Sequence, residues 1–233
     1  MSKNRKTYYQ EKDKLLLAVD CIIFGYKDGE LKLLIFKREI EPLAGKWSLI
    51  GRIVNQDESL EGAAHKVLEE VTGLGEIFLE QLHSFGKTDR DTGARVVSVA
   101  YWSLIQSSAN KKIKIKDHEA KWVPFDRVPD LVLDHNEMVD MAIEKVRNFA
   151  RYRPIGFELL PKQFTLPQLL KVYEAIYQRK IDDRNFRKKI LATGLLIKLD
   201  VKDKSQSRKG AFLYQFDKEK YENLSKSGYW FEI

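Results

Sequence analysis

The sequence predicts an α+β protein built from two domains, and three observations support this. Apolar runs of strand-like composition dominate residues 15–124, and a helical pattern interrupts them at residues 58–71. A second helical pattern at residues 136–150 is followed by a change of composition. Residues 151–233 carry 18 Lys and Arg against 10 Asp and Glu, although the whole chain has a net charge of only +7. This asymmetry indicates two modules, one of which meets a polyanion.

The first domain is expected to be a mixed sheet with few helices. Residues 15–25 and 31–37 are β-rich, and the Asp28-Gly29 pair between them is a strong hairpin signal. Further strands are predicted at residues 47–54, 76–84, 94–105 and 120–124. The amphipathic helix at 136–150 closes this domain.

Residues 51–74 resemble a Nudix box, whose pattern is G-x5-E-x7-R-E-U-x-E-E-x-G-U, with U a bulky apolar residue. The residues that fall on their places in this pattern are Glu58, Leu68, Glu70, Gly73 and Leu74. Arg52 stands at the position of the opening glycine, and Lys66 at that of the arginine. Val67 and Val71 replace two of the glutamates.

The two valines remove oxygen ligands that a metal would need. Mg²⁺ is usually held by carboxylates together with substrate phosphates. Glutamates at i, i+3 and i+4 share one helix face. Of these three positions, 67, 70 and 71, only 70 is a glutamate. Glu69 cannot substitute for the others, because it lies about 100° around the helix. A diphosphate hydrolase depends on metal to clamp phosphates and activate water. The sequence therefore predicts a domain that binds a ligand without turnover, with no catalytic residues, no metal and no cofactor.

The second domain is predicted to begin at the proline-containing segment 151–164, which divides the chain into domains 12–150 and 151–233. Thr165 is suited to cap a helix, with Pro167 in its first turn. A short turn, a second helix that is basic at its start, and two strands around a basic loop follow. Helix, turn, basic helix and β-hairpin together predict a winged helix-turn-helix.

The basic residues of this domain point to double-stranded DNA. A recognition helix enters the major groove by its N-terminal residues, where Arg pairs with guanine and Asn with adenine. The expected DNA-binding residues are Thr165, Arg184, Asn185, Arg187, Lys188, Arg208 and Lys209. A solvated charged helix face is the alternative, but the charge lies on the second helix of a pair with a basic hairpin beyond it. RNA binding is disfavoured because the aromatic pattern for base stacking is missing.

The whole arrangement resembles the Nudix-related transcriptional regulators, in which a Nudix-like α/β/α sandwich that senses a small molecule precedes a winged helix. The resemblance rests on the box and on residues 133–142, 164–169, 173–177 and 184–190. It implies operator DNA and a small-molecule effector as partners, a homodimer, and repression rather than activation. Some members sense ADP-ribose and others arabinose. The box helix with its two valines looks more like the arabinose branch, so L-arabinose or a related pentose is the expected effector. ADP-ribose sensing and an active Nudix hydrolase are the alternatives.

An effector site needs hydrogen-bonding groups over an apolar or aromatic floor. The candidate ligand-binding residues are Asp20, Arg38, Trp47, Arg90, Asp91, Arg95 and His135. Asp20 interrupts an apolar strand, where a charge needs a partner or a ligand, and a structural salt bridge with a residue such as Arg38 is an equal alternative. Trp47 could instead belong to the core, and His135 could be structural.

The sequence also indicates the cellular compartment in which the protein is expected. Cys21 is the single cysteine, so no intrachain disulfide can form, which suits a reducing environment. The polar N-terminus does not resemble a signal peptide, and no apolar run is long enough to span a bilayer. We therefore expect a cytoplasmic protein with no membrane partner.

Overall fold

The computed structural model describes residues 13–39, 41–73, 78–106, 119–205, 208–229 and 231–233, without the side chains of residues 71 and 72. Within these residues, no helix is long and apolar enough to cross a membrane.

The N-terminal part contains a seven-stranded mixed sheet. Its strands are β1 (Leu16–Lys27), β2 (Glu30–Lys37), β3 (Trp47–Ser48), β4 (Ile50–Ile53), β5 (Glu80–Phe85), β6 (Val96–Gln106) and β7 (Ala120–Pro124). The order is β3-β2-β1-β6-β5, while β4 also pairs with β1, and β7 with β2. Strands β1 and β6 are parallel, and the other pairs are antiparallel.

The hairpin between β1 and β2 forms as the sequence predicts. Asp28 and Gly29 both have positive φ, at 52° and 88°. A two-residue turn with positive φ at both positions matches the right-handed twist of the flanking strands.

The strand predicted at residues 47–54 is divided in the structure. β3 pairs with β2, whereas β4 pairs with β1. This occurs because β1 and β2 pair with each other only near their shared turn, at residues 24–27 and 30–33. Beyond that point, the divided strand supplies a separate partner to each of them.

One helix covers each face of the sheet. The helices are α1 (Leu60–Thr72) and α2 (His135–Tyr152). Along β1, Cys21 and Ile23 pack in the core that contains α1, whereas Ile22 and Phe24 pack in the core that contains α2. This arrangement confirms the expected α/β/α sandwich.

Helix α1 begins where the sequence allows it to be capped. The Ser59 side chain accepts a hydrogen bond from the backbone N–H of Gly62, and Gly73 ends the helix with a φ of 65°. Both ends therefore satisfy backbone groups that the helix leaves unpaired.

The C-terminal part is a winged helix. Its elements are β8 (Phe164–Thr165), α3 (Leu166–Tyr177), α4 (Asp183–Ala192), β9 (Leu196–Asp203), β10 (Ala211–Phe216) and α5 (Lys218–Lys226). Thr165 caps α3, and its side chain and that of Gln168 form a reciprocal capping box. Strands β8, β10 and β9 form a three-stranded sheet in that order. Neither β8 nor α5 was predicted from the sequence.

The two parts share one apolar core. Leu169 and Tyr173 of α3 belong to the same buried cluster as Phe24 of β1 and Met138 of α2. Helix α2 continues to Tyr152, so the boundary expected at residue 150 falls within its last turn. The C-terminus also returns to this helix, since the backbone N–H of Ile233 donates to the Arg151 carbonyl at 3.3 Å.

Candidate effector cavity and DNA-binding surface

A cavity of about 420 Å³ lies at the end of the large sheet where β1 and β2 diverge. Its walls come from β1, β2, β4, the loop between β5 and β6, and the start of α2. Five of the seven candidate ligand-binding residues line it, namely Asp20, Arg38, Arg90, Asp91 and His135. The fold thus brings together residues that are far apart in the sequence.

Asp20 is the centre of a polar network on the cavity wall. It is 8% exposed, and its Oδ2 accepts a hydrogen bond of 2.6 Å from the Ser98 hydroxyl. Arg90 Nη2 lies 3.6 Å from the same oxygen, and His135 Nε2 lies 3.7 Å from Oδ1. The Asp20 carboxylate, which interrupts the apolar strand β1, therefore has polar partners from three elements: Ser98 of β6, Arg90 of the β5–β6 loop and His135 of α2.

Gly51 is required by the same network. It pairs with Asp20 across β1 and β4, and a Cβ atom at this position would lie 2.1 Å from Asp20 Oδ1. The glycine therefore makes room for the buried carboxylate.

Arg90 also makes a two-pronged ion pair with Asp134. Its Nε and Nη2 donate to the two carboxylate oxygens at 2.9 and 2.7 Å. The Arg90 side chain is only 2% exposed. Bidentate pairs of this kind are strong and fix orientation, so the β5–β6 loop is tied to the residue that precedes α2.

The hydrogen bonds of His135 define its tautomer. The backbone N–H of Leu49 donates to Nδ1 at 3.0 Å, so Nδ1 is the unprotonated nitrogen and Nε2 carries the hydrogen that faces Asp20. Burial lowers the pKa of His135 below its usual value, and this outweighs the opposing effect of Asp20 and Asp134. The imidazole is consequently neutral at pH 7.

Two candidates lie away from the cavity lining. The Trp47 ring packs against the core and stacks under Lys121, whose Nζ is 3.9 Å from the ring centroid. Arg95 donates from its guanidinium to the carbonyl oxygens of Gly86, Lys87 and Val96 at 3.0–3.2 Å. These interactions give both side chains structural roles.

Three residues of the network escaped the sequence analysis, which are Gly51, Ser98 and Asp134. Ser98 had a detectable signal, because it is a polar residue between Val97 and Val99 in a largely apolar strand. Asp134 and Gly51 had none that distinguishes them from ordinary loop and strand residues.

Glu58, which matches the first glutamate of the Nudix box pattern, lies in an ion-pair cluster. Glu58 accepts hydrogen bonds from the backbone N–H of Asn55 at 2.8 Å and from Lys66 Nζ at 2.9 Å. Arg52 Nη2 lies 3.4 Å from the same carboxylate. The Asn55 and Lys66 hydrogen bonds lower the pKa of Glu58 below its usual value.

The valine at position 67 belongs to the core beneath α1, where it is 2% exposed, whereas Glu70 is exposed. The side chain of Val71 lies outside the described residues. In the part of the chain that the structure describes, no group of three or more His, Cys, Asp or Glu side chains could hold a metal ion.

The second helix of the C-terminal domain, α4, presents a basic surface. Phe186 and Ile190 are buried, while Arg184, Asn185 and Lys188 are exposed. This amphipathic division leaves the basic side of the helix open to a partner.

Two of the expected DNA-binding residues are engaged within the protein. Arg187 is half-buried, and its Nε donates to Asp183 Oδ1 at 2.7 Å. Thr165 is buried, and its hydroxyl takes part in the cap of α3. Thr165 is thus suited to positioning α3 rather than to direct contact with DNA.

The wing formed by β9 and β10 is also basic. Arg208 and Lys209 are exposed at its tip. The sequence analysis missed two further lysines, Lys198 and Lys202, whose Nζ atoms lie 3.8 and 4.5 Å from the centroid of Phe212. Their spacing of four residues along a strand, which places both on one face, was the available signal.

Comparison with known proteins agrees with both halves of this architecture. The family model for the NUDIX domain matches residues 14–142, and that for the NrtR DNA-binding winged helix domain matches residues 156–216. Together they define a DNA-binding transcriptional regulator that carries a Nudix domain. The chain belongs to the NrtR family of these regulators.

Three relatives illustrate this membership. The chain is 32% identical to the ADPR responsive transcriptional repressor NtrR of Acinetobacter baylyi, over 92% of this chain and 88% of that protein. It resembles the structure of Shewanella oneidensis NrtR complexed with a 27mer DNA with a TM-score of 0.75 and 30% identity, over 92% of this chain and 97% of that one. The NUDIX domain of the same Shewanella protein complexed with ADP ribose matches with a TM-score of 0.52 and 33% identity, over 58% and 90% of the two chains.

These similarities bear differently on the sequence-based expectations. They confirm a regulator in which a Nudix domain precedes a winged helix. The names of two of these relatives refer to ADP-ribose, and the expected arabinose branch finds no support in them.

Proposed function

We propose that this protein is a transcriptional repressor that binds ADP-ribose in the cavity of its Nudix domain and then releases operator DNA. The observation that carries this proposal is the 32% identity, over 92% of the chain, to a repressor named for its response to ADP-ribose. ADP-ribose, which was the alternative in the sequence analysis, thus replaces the pentose as the favoured effector.

The chemistry of the cavity supports a ligand of this class. Lys37, Arg38 and Arg52 offer positive charge for a diphosphate. The carboxylates of Asp20 and Asp91 are acceptors for ribose hydroxyls. A volume of about 420 Å³ falls within the range of pockets that enclose drug-sized ligands. A free pentose is much smaller and would leave part of such a cavity filled only by water.

Helix α4 is the proposed recognition helix. Its exposed N-terminal residues Arg184, Asn185 and Lys188 would read the major groove, together with Arg187 once it exchanges Asp183 for DNA. Arg208 and Lys209 on the wing would contact phosphates. We propose a homodimer, which would bind two half-sites separated by about one DNA turn, roughly 34–36 Å, or a multiple of it.

The Nudix domain is proposed to bind its ligand without hydrolysing it. Val67 belongs to the core where the box pattern has a glutamate, and Glu58 is occupied by Lys66 and Arg52. The domain therefore offers too few carboxylate oxygens to hold the metal that hydrolysis of a diphosphate requires.

The test is a competition experiment with the full-length protein. An operator is first selected from random duplex DNA, and its binding is followed by fluorescence anisotropy. ADP-ribose is expected to lower the affinity for this DNA, whereas L-arabinose and NAD are expected to have no effect at equal concentration. Release by L-arabinose alone, or selection of no DNA at low salt, would refute the proposal.

Hydrolysis is measured on the same preparation with Mg²⁺ or Mn²⁺. We expect negligible conversion of ADP-ribose. Metal-dependent turnover at ordinary enzyme rates, abolished in Glu70→Gln, would instead identify a working hydrolase.

A further inference from the structure

Arg52 occupies the box position where the Nudix pattern has a glycine, and it lines the cavity. We propose that in this chain Arg52 takes over the charge-neutralising role of the metal, so that the diphosphate of the effector is bound directly and without Mg²⁺. This inference rests on the proposed function, because it presumes an ADP-ribose-like ligand in this cavity.

Two positive charges surround the Glu58 carboxylate. Lys66 Nζ is 2.9 Å from Glu58 Oε2, and Arg52 Nη2 is 3.4 Å from Oε1. Two cations therefore share one carboxylate, and the cluster retains one net positive charge. The shorter contact belongs to Lys66, so Arg52 is the partner that can turn to another anion at the smaller cost.

Part of the Arg52 side chain is accessible to solvent. The side chain of Glu58 is 7% exposed and that of Arg52 is 29% exposed. Arg52 therefore contacts a nearly buried carboxylate, that of Glu58, while part of the Arg52 side chain remains accessible to a ligand in the cavity. Arg38 also lines this cavity, as does Lys37, whose Nζ pairs with Glu119 Oε2 at 2.7 Å.

The guanidinium group of arginine is suited to phosphate. It is planar, permanently charged, and matches phosphate oxygens with parallel N–H donors. A metal ion bridges phosphates to carboxylates, whereas an arginine needs no acidic residues to hold it. Arg52 in place of the pattern's glycine and Val67 in place of one of its glutamates are therefore both consistent with a site that binds phosphate without metal.

The experiment is isothermal titration calorimetry of ADP-ribose into the full-length protein, once in EDTA and once in excess MgCl₂. The wild-type affinity is expected to be the same in both buffers. Arg52→Gln is expected to weaken binding by about tenfold to a hundredfold, as for the loss of a charged hydrogen bond, and Mg²⁺ should not restore it. Arg52→Lys should retain part of the affinity, because lysine keeps the positive charge but lacks the two parallel N–H donors of the guanidinium group.

The matched control is Arg127→Gln, which removes the same charge from an exposed side chain outside the cavity. It should bind like the wild type. The thermal unfolding midpoint of Arg52→Gln, where Lys66 still pairs with Glu58, verifies that this variant is folded.

The outcomes separate this inference from the proposed function. Binding that requires Mg²⁺, or wild-type affinity in folded Arg52→Gln, would overturn the role of Arg52 while leaving ADP-ribose as the effector. Failure of the wild type to bind ADP-ribose in either buffer would overturn the proposed function and this inference with it.

Discussion

Arg90 Nη2 lies 2.7 Å from Asp134 Oδ1, and this ion pair joins the loop before β6 to the residue that precedes α2. Both side chains are nearly removed from solvent, at 2% and 9% exposure. The pair also holds cavity residues in place. Arg90 contacts Asp20, and Asp134 directly precedes His135, which lines the cavity as well.

The first prediction concerns the stability that this pair confers. Arg90→Met should lower the free energy of unfolding by about 3–5 kcal/mol, because it leaves buried carboxylates without their counter-charge. Lys87→Met is the control, since the Lys87–Glu137 pair lies in the same region but is exposed, so its loss should lower the free energy of unfolding far less. Urea denaturation of both variants measures the difference. Equal, small losses would show that Arg90 is not energetically important.

The second prediction concerns pH. The folded state lowers the pKa of His135, so below about pH 6.5 the unfolded chain binds a proton that the folded protein does not. Stability should therefore fall as the pH decreases from about 6.5 towards the folded-state pKa. In His135→Gln this part of the decrease should disappear, while both proteins keep the same slope above pH 7.5. Urea denaturation at intervals between pH 5 and 9 measures it, and identical slopes throughout would contradict the prediction.

The third prediction addresses base recognition by α4. Arg184→Ala should weaken binding to the selected operator by about 1–3 kcal/mol and relax specificity at one base pair. Circular dichroism should be unchanged, because the side chain is exposed. Binding to a set of operators with single base changes supplies the measurement. A uniform loss across all of them would assign Arg184 to a phosphate rather than a base.

The fourth prediction addresses the wing. Lys209→Ala should weaken binding to all sequences alike and lower the slope of log affinity against log salt by about 1, because one phosphate contact is lost. Titrations at several salt concentrations, with both operator and unrelated DNA, measure this. An unchanged salt slope would remove Lys209 from the DNA surface.

The fifth prediction concerns the link between the two domains. Helix α2 begins with His135 at the cavity, and further along it Arg147 Nε donates to the Ile176 carbonyl at 3.3 Å. The Tyr177 hydroxyl donates to the Arg147 carbonyl at 3.2 Å. Both contacts lie at the end of α3, shortly before α4, the proposed recognition helix.

If ADP-ribose weakens DNA binding as proposed, thermodynamic linkage requires operator DNA to weaken ADP-ribose binding by the same factor. Tyr177→Phe, which deletes one of these contacts, should reduce that factor while each ligand alone binds as before. Calorimetric titrations with and without saturating operator measure the factor. Identical ADP-ribose affinities in both wild-type titrations would leave the protein without a switch.

Local features of the fold were predictable because nearby residues determine them. The Asp28-Gly29 turn and the N-cap of α3 at Thr165 depend on a few adjacent residues, and both form as expected. Helix α5 was missed, although Asp217 caps it, because its short polar sequence offers only a weak apolar pattern.

Residue identity and local spacing were enough to predict the order of the two domains, the basic character of α4 and the presence of Val67 where the box pattern has a glutamate. These depend on residue identity and on spacing within a few turns or strands. The tertiary structure decided which polar residues form the site. Asp20, Arg90 and His135 meet because the parallel pairing of β1 with β6 brings the loop before β6 to the end of β1 near Asp20, and the packing of α2 on the sheet brings His135 to the same carboxylate. The same packing directed Trp47 and Arg95 to structural contacts, since long-range position, and not residue type, sets what a side chain can reach.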